Sequence, residues 1–177
     1  ENTGTLINTS KESLNSTFDN IRLNLSESQT SLDKVQSNLD DLSSMANDAS
    51  SAKINALISK SINEIDKVDN SVTAVINFLD AINKKIANEK IANMITSLKN
   101  IQNSLAEEKT KLNDLQSKVN SGQNVDKGLL SSISDLTKKI EEQVDNSLNR
   151  FDNDTRPALN TIADGLVTAT KGASDLL

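Results

Sequence analysis

The sequence contains neither histidine nor cysteine. Their absence removes the usual general base, the thiol nucleophile and the ligands that structural zinc sites prefer. It also excludes a disulfide framework, although it leaves the redox compartment of the protein open. Carboxylates are therefore the main side chains left that could carry acid–base chemistry.

Backbone-breaking residues and aromatic residues are also scarce. Glycine and proline do not occur between Thr5 and Ser121, and phenylalanine, present three times, is the only aromatic residue. The hydrophobic content of 35% is below the roughly 45–50% of a globular average. A long unbroken chain of this kind favours helices that bury narrow apolar stripes rather than a broad core. Disorder is the competing interpretation, but disordered segments lack a sustained apolar period.

The charges of the chain argue against two classes of partner. The net charge is −6, and lysine and arginine are scattered rather than clustered. Nucleic acids and anionic membrane surfaces both require a concentrated basic face, so we expect neither as a partner. Apolar runs are at most three residues long, which is too short for a membrane span within this sequence.

Apolar residues recur with a period near 3.5 residues, the spacing typical of coiled coils. We call the line that they form along one side of a helix the apolar stripe. The clearest example has steps of four and three with one polar interruption, and comprises Leu14, Phe18, Ile21, Leu25, Ser28, Leu32, Val35, Leu39, Leu42, Ala46 and Ala49. The pattern predicts an all-α fold, built as an elongated antiparallel helical bundle or coiled-coil stalk.

The chain divides into three predicted segments. Residues 1–9 are expected to be a flexible N-terminal segment, because a capping box at Thr9–Glu12 predicts that the first helix begins near Ser10. Residues 10–155 form the long helical region. Residues 156–177 form a C-terminal helix after Pro157, which is expected to end or kink the preceding helix. The apolar pattern continues to the last residue, so we expect this helix to be truncated.

Turns are predicted at three places in the helical region. The apolar stripe slips near residues 48–53 and 86–90, where Asn88 is a candidate N-cap. The third turn, at 121–126, combines Gly122 with Asp126 as a new N-cap. Pieces of similar length joined by short links favour an antiparallel bundle. If the first two slips are stutters in a continuous helix, the chain is instead a rod with one hairpin.

The carboxylates give few signs of catalysis. Neighbouring pairs such as Glu107–Glu108 point about 100° apart on a helix, and Glu64 and Glu107 are spaced to pair with Lys67 and Lys111 on solvated helix faces. Glu108 differs because it occupies an apolar-stripe position. It is expected either to extend towards water near a bundle end or to set helix register, and the alternative is a buried functional carboxylate.

A second acidic segment, 152–155, has the sequence DNDT and begins like a calcium loop. It lacks the glycine and the closing glutamate of such a loop. Capping of the helix that contains Pro157 by Asp154 or Thr155 explains the same residues. We therefore assign no catalytic, cofactor-binding or metal-binding residues, expect no cofactor, and expect a protein that is not an enzyme.

Several segments resemble the YhgE/Pip family of Gram-positive bacteria, which includes phage infection proteins. The segments that carry the resemblance are FDND at 151–154, RPALNTIADGL at 156–166, FLDAIN at 78–83, NEKI at 88–91 and SGQN at 121–124. The similarity covers about residues 75–177. Residues 1–74 share with the family only a coiled-coil composition rich in asparagine, serine and leucine.

The resemblance implies that this chain is the extracellular helical region of a membrane protein anchored on both sides of it. We therefore expect a non-catalytic stalk or interaction module at the extracellular face of the cell membrane, with a phage-receptor role or an accessory role in type VII secretion. Its expected partners are a second copy, bound through the helical stripes, and a phage or secretion component. The alternative function is a ligand-sensing helical bundle of a chemoreceptor or sensor kinase.

Overall fold

A computed structural model describes the backbone of residues 2–45 and 49–176 and the side chains of residues 12–45 and 49–166. Within these ranges the chain is helical apart from the connections between helices, which confirms the all-α prediction. The elements are α1 (Asn2–Ser44), α2 (Ser51–Lys85), α3 (Glu89–Asn120), α4 (Lys127–Arg150), a π-helical segment (Phe151–Thr155) and α5 (Arg156–Leu176).

The first four helices form a bundle in which each helix packs against two others. α1 contacts α2 and α4, and α3 also contacts α2 and α4. α1 and α4 are antiparallel, because Gln36 on α1 contacts Ser134 on α4 whereas the earlier Gln29 contacts the later Asp145. α5 continues from α4 through the π-helical segment and packs along α1. The bundle is long, since α2 alone has 35 residues and therefore spans about 50 Å.

The predicted apolar stripes form the core. The same spacing of apolar residues predicts a stripe along α3, and each of its positions is buried: Ile91, Ile95, Leu98, Ile101, Leu105, Glu108, Leu112, Leu115 and Val119. The polar interruption in the α1 stripe, Ser28, is buried as well, and its hydroxyl donates to the Asn24 carbonyl oxygen at 3.0 Å. Ser61 on α2 makes the same kind of bond to Leu57 at 2.9 Å. These hydroxyls are satisfied by their own helices, so they interrupt the apolar core without leaving an unpaired donor.

Side-chain caps fix the helix starts after the turns. Asn88 accepts hydrogen bonds from the amides of Lys90 and Ile91, and Asp126 accepts one from Leu129. Both caps are those predicted from the sequence. Gly122 has a φ of +83°, a conformation that favours glycine, and closes the turn after α3. Ser50 caps α2, so the chain turns between α1 and α2, although residues 46–48 of this predicted turn lie outside the described residues.

Three sequence predictions require correction. α1 begins at Asn2 rather than near Ser10, so residues 2–9 of the predicted flexible segment are helical. The side chains of the proposed capping box before Glu12 lie outside the described residues. The continuous-rod alternative is wrong, because α2 and α3 are separate helices and run antiparallel: Thr73 contacts Gln102, whereas the earlier Ser59 contacts the later Gln116. Pro157 does not end the helix, since helical residues lie on both sides of it, and the predicted kink stays a prediction. The end of the chain at Leu177 is outside the described residues.

Loss of the Asn88 cap is expected to weaken the bundle. Asn88→Ala removes the acceptor for two amides at the start of α3 and should lower the free energy of unfolding by about 1 kcal/mol. Urea unfolding followed by far-UV circular dichroism would measure this change. Asn93→Ala, at an exposed position one turn later, is the matched control and should leave stability unchanged or slightly raised. Equal effects of the two substitutions would contradict a capping role.

Candidate functional site: a buried carboxylate between α3 and α4

Glu108 is the buried carboxylate of the bundle core. Its side chain is 0% exposed, and it lies on α3 between the buried residues Leu105 and Leu112. The expectation that it extends towards water near a bundle end is therefore wrong. Carboxylates are rarely buried completely, because removing their charge from water is costly unless it is paired or neutralised. Glu108 is thus the side chain in the described core that most needs a physical explanation.

Thr137 on α4 is the polar partner of Glu108. The Thr137 hydroxyl lies within hydrogen-bond distance of Glu108 Oε1 and also of the Ile133 carbonyl oxygen, which is 3.0 Å away. Thr137 is itself 0% exposed. The second carboxyl oxygen, Glu108 Oε2, is buried and has no hydrogen-bond partner among the described residues. The pair therefore joins α3 to α4 but leaves one carboxyl oxygen unsatisfied.

The surroundings favour the neutral form of Glu108. Burial raises the pKa of the Glu108 carboxyl to about 7, and the nearby charge of Glu141 acts in the same direction. The hydrogen bond from Thr137 opposes the shift by stabilising the charged form, but it is the weaker influence. A carboxyl group with this pKa can change its protonation state near neutral pH, which an ordinary surface glutamate does not do.

A groove lined by acidic side chains lies beside this pair, between α1 and α4. It has a volume of about 320 Å³ and is lined by Gln29, Asp33, Glu141 and Asp145. The Gln29 amide donates to Asp145, and partial burial raises the pKa of Glu141, helped by the charges of Asp33 and Asp145. The described residues contain no group of three or more potential ligands arranged to hold a metal ion. The groove is therefore an acidic surface next to the buried pair.

The candidate calcium segment has a different arrangement from the one that its sequence suggested. It is π-helical rather than a loop, and Asp152 pairs with Arg22 on α1 at 3.0 Å. The Thr155 hydroxyl is buried without a hydrogen-bond partner in the described structure, so it does not cap α5. Asp154 has no separate helix start to cap, because α5 continues directly from the π-helical segment. The capping explanation is therefore wrong.

Surface ion pairs include one that was predicted and several that were not. Glu64 and Lys67 pair at 3.2 Å on α2, as predicted, although only the Lys67 end is well exposed and the Glu64 side chain is 12% exposed. Lys109 on α3 pairs with Asp66 on α2 at 2.8 Å, and Arg156 pairs with Asp19 on α1 at 2.5 Å. Such contacts between helices depend on the relative register of elements far apart in sequence, so residue spacing carries no signal for them. The proposed pair of Glu107 with Lys111 stays a prediction.

The clefts at the two ends of the bundle differ in the polarity of their lining residues. At one end an apolar cleft of about 110 Å³ lies between α1, the end of α2 and α5; its lining residues include Phe18, Ile86 and Leu159. At the other end, a more polar cleft brings together the turn after α1 and the turn that contains Gly122. None of the helices within the described residues is both long enough and apolar enough to cross a membrane.

No protein-family model, curated protein or solved structure matches the chain.

Proposed function

We propose that this chain is a non-catalytic extracellular stalk or interaction module of a Gram-positive envelope membrane protein of the YhgE/Pip type. The observation that supports this proposal best is the position of the two chain ends. α1 and α5 pack together, and the Asp19–Arg156 ion pair places the first part of α1 beside the start of α5. The chain therefore enters and leaves the bundle at the same end.

A domain placed between two membrane-anchored segments needs this arrangement, because both of its ends must return to the membrane. The opposite end of the bundle holds the turn after α1 and the Gly122 turn. These turns lie about 50 Å from the entry end, given the length of α2. The proposed module would thus hold a surface formed by two turns away from the membrane, where a phage or secretion component could bind it.

Cysteine labelling would test this orientation. Gln123 is exposed in the Gly122 turn, and the chain offers a background free of cysteine. In intact cells that carry the full-length protein, with any native cysteines outside this region replaced, Gln123→Cys is expected to react with a membrane-impermeant maleimide before lysis. The measurement is the fraction labelled in intact cells relative to lysed cells.

The control for this experiment is a cysteine at a buried position. Val144 is 0% exposed, so Val144→Cys should label poorly both before and after lysis unless the protein is denatured. Labelling of Gln123→Cys that requires lysis would overturn the extracellular placement. A full-length protein without membrane segments on either side of this chain would overturn the stalk proposal as a whole.

A ligand-sensing bundle is the second candidate function, and one polar groove favours it. The groove lies between α3 and α4, has a volume of about 160 Å³ and is lined by Ser97, Asn100, Gln143, Asn146, Ser147 and Arg150. The Arg150 guanidinium donates to the Ser97 hydroxyl at 2.8 Å and faces uncharged side chains. A thermal shift with small carboxylates that is lost in Arg150→Gln would favour this candidate.

Self-association also stays a prediction. The described apolar stripes are buried within one chain, so a second copy would use exposed helix faces rather than these stripes. Light scattering of the purified chain over a range of concentrations would measure its mass. A monomer mass at every concentration would exclude a stable dimer of this region.

A further inference from the structure

We propose that Glu108 and Thr137 form a proton-controlled contact in the bundle core: neutral Glu108 closes the α3–α4 interface, and ionised Glu108 loosens it. The relevance of this contact to an extracellular stalk rests on the proposed function. The contact itself is a property of the folded chain and is tested on the purified protein. If the contact does not respond to pH, the proposed orientation of the stalk is unaffected. If the proposed orientation is wrong, the proton-controlled contact is unaffected.

Counting hydrogens supports a neutral Glu108 in the closed bundle. The Thr137 hydroxyl carries one proton, but two acceptors lie within hydrogen-bond distance, Glu108 Oε1 and the Ile133 carbonyl oxygen. If Glu108 is ionised, one of these two contacts has no hydrogen. If Glu108 is protonated, its carboxyl group donates to the Thr137 oxygen, and Thr137 donates to Ile133. The neutral form supplies a hydrogen to both contacts.

Ionisation would leave an unfavourable group in the core. The charge would be 0% exposed, and Glu108 Oε2 would remain without a partner among the described residues. Water can relieve this penalty only if α3 and α4 move apart enough to admit it. α4 has 24 residues and contacts its neighbours less extensively than α2 does. The α3–α4 interface is therefore less extensive than the α2–α3 interface and offers less resistance to such a movement.

The charges on the neighbouring helices oppose ionisation or are already paired. On α4, Glu141 repels a negative charge at Glu108, whereas Lys138 acts weakly on Glu141 and is not among the groups that shift the pKa of Glu108. On α2, Asp66 pairs with Lys109 and Lys67 pairs with Glu64. No cation on the described faces of α2 or α4 contacts Glu108. Loss of its proton would thus leave the carboxylate without a compensating charge.

The stability of the chain should depend on pH in a direction opposite to that of most carboxylates. The pKa of Glu108 is about 7 in the folded chain and near its ordinary 4.5 in the unfolded chain, so the folded state holds the proton more tightly. The stabilising effect is complete below about pH 4.5 and is lost as the pH rises through about 7. Between a pH well below 4.5 and a pH well above 7, the contribution of this group to the folding equilibrium constant should fall by about 300-fold in total.

The first experiment compares urea midpoints at pH 5 and pH 8 for the wild type, Glu108→Gln and Glu107→Gln. Glu107 is the exposed neighbour of Glu108 and provides a matched loss of one carboxylate. The wild type and Glu107→Gln should both lose stability at pH 8, whereas Glu108→Gln should lose much less. Equal pH dependence in all three proteins would overturn the proposal.

The second experiment measures the proton and the movement directly. In wild-type protein labelled with ¹³C at the glutamate carboxyl carbons, one resonance should titrate near pH 7. Spin labels at Ala106→Cys on α3 and Lys139→Cys on α4, both exposed positions, should report a longer or broader distance distribution at pH 8 than at pH 5. The change should disappear when Glu108→Gln is added. Titration of every glutamate near its ordinary value, or a distance that does not change with pH, would overturn the proposal.

Discussion

Glu108→Leu is expected to stabilise the folded chain by about 2–3 kcal/mol at pH 8. Burial raises the pKa of this carboxyl group to about 7. At pH 8 the wild-type group therefore either carries a buried charge or keeps its proton at a pH above its pKa, and both states cost free energy. Leucine removes this penalty and adds apolar surface to a position that lies between Leu105 and Leu112. Thr137 loses little, since its hydroxyl still donates to the Ile133 carbonyl oxygen.

The size of this gain should depend on pH. At pH 5 the wild-type carboxyl group is neutral, so Glu108→Leu should stabilise the chain less than at pH 8. Urea unfolding followed by far-UV circular dichroism would measure both values, because the chain has no tryptophan or tyrosine to serve as a fluorescence probe. The exposed substitution Glu107→Gln should change stability by no more than about 0.5 kcal/mol. A Glu108→Leu protein that is less stable than the wild type at pH 8 would show that the contacts of the carboxyl group stabilise the fold by more than its burial destabilises it.

The period of the apolar residues predicted most of the core but not its full width. The 3.5-residue stripe identifies nine buried positions on α3, but it omits Met94 and Ser104, which are also buried. Ile76 on α2 is a similar omission. A narrow stripe describes a helix that packs against one partner, whereas each bundle helix here contacts two neighbours and buries a wider face. The additional buried positions therefore lie next to the stripe.

Local hydrogen bonding explains which helix boundaries the sequence revealed. Asn88 and Asp126 were recognisable as N-caps because their side chains bond amides only two or three residues away. The π-helical segment at 151–155 was missed, since a shift of one residue in the backbone hydrogen bonds has no marked composition. Pro157 is the one local sign of it, because proline lacks the amide that an α-helix would use.

The sequence predicts only one of the two residues of the candidate site, Glu108. The apolar period marks Glu108 as a polar residue in an apolar stripe, a position that fits either register setting or a buried carboxylate. Its partner Thr137 could not be identified, because the pairing depends on how α3 and α4 are aligned after the Gly122 turn. The raised pKa also could not be predicted, since it arises from complete burial and from Glu141 on the neighbouring helix.

Phe151→Ala is expected to cause a larger loss of stability than Asn88→Ala. Phe151 is 0% exposed and begins the π-helical segment, which contacts α3, α4 and α5. Removing a buried phenyl ring sacrifices its transfer free energy and leaves a cavity, which together lower stability by about 3–5 kcal/mol. Thermal and urea unfolding followed by circular dichroism would measure the loss. Asn153→Ala, at an exposed position in the same segment, is the control and should change stability by less than about 0.5 kcal/mol.

The shape of the unfolding transition would show whether the Phe151 ring anchors α5 to the rest of the bundle. If Phe151 anchors α5 to the bundle, Phe151→Ala should give a transition in which some helical signal is lost before the main unfolding. Phe151→Leu, which keeps much of the apolar volume, should restore a single transition at a smaller loss of stability. A Phe151→Ala protein as stable as Asn153→Ala would instead mean that the π-helical segment adds little to the core. α5 would then be held mainly by its own contacts with α1, such as the Arg156–Asp19 ion pair.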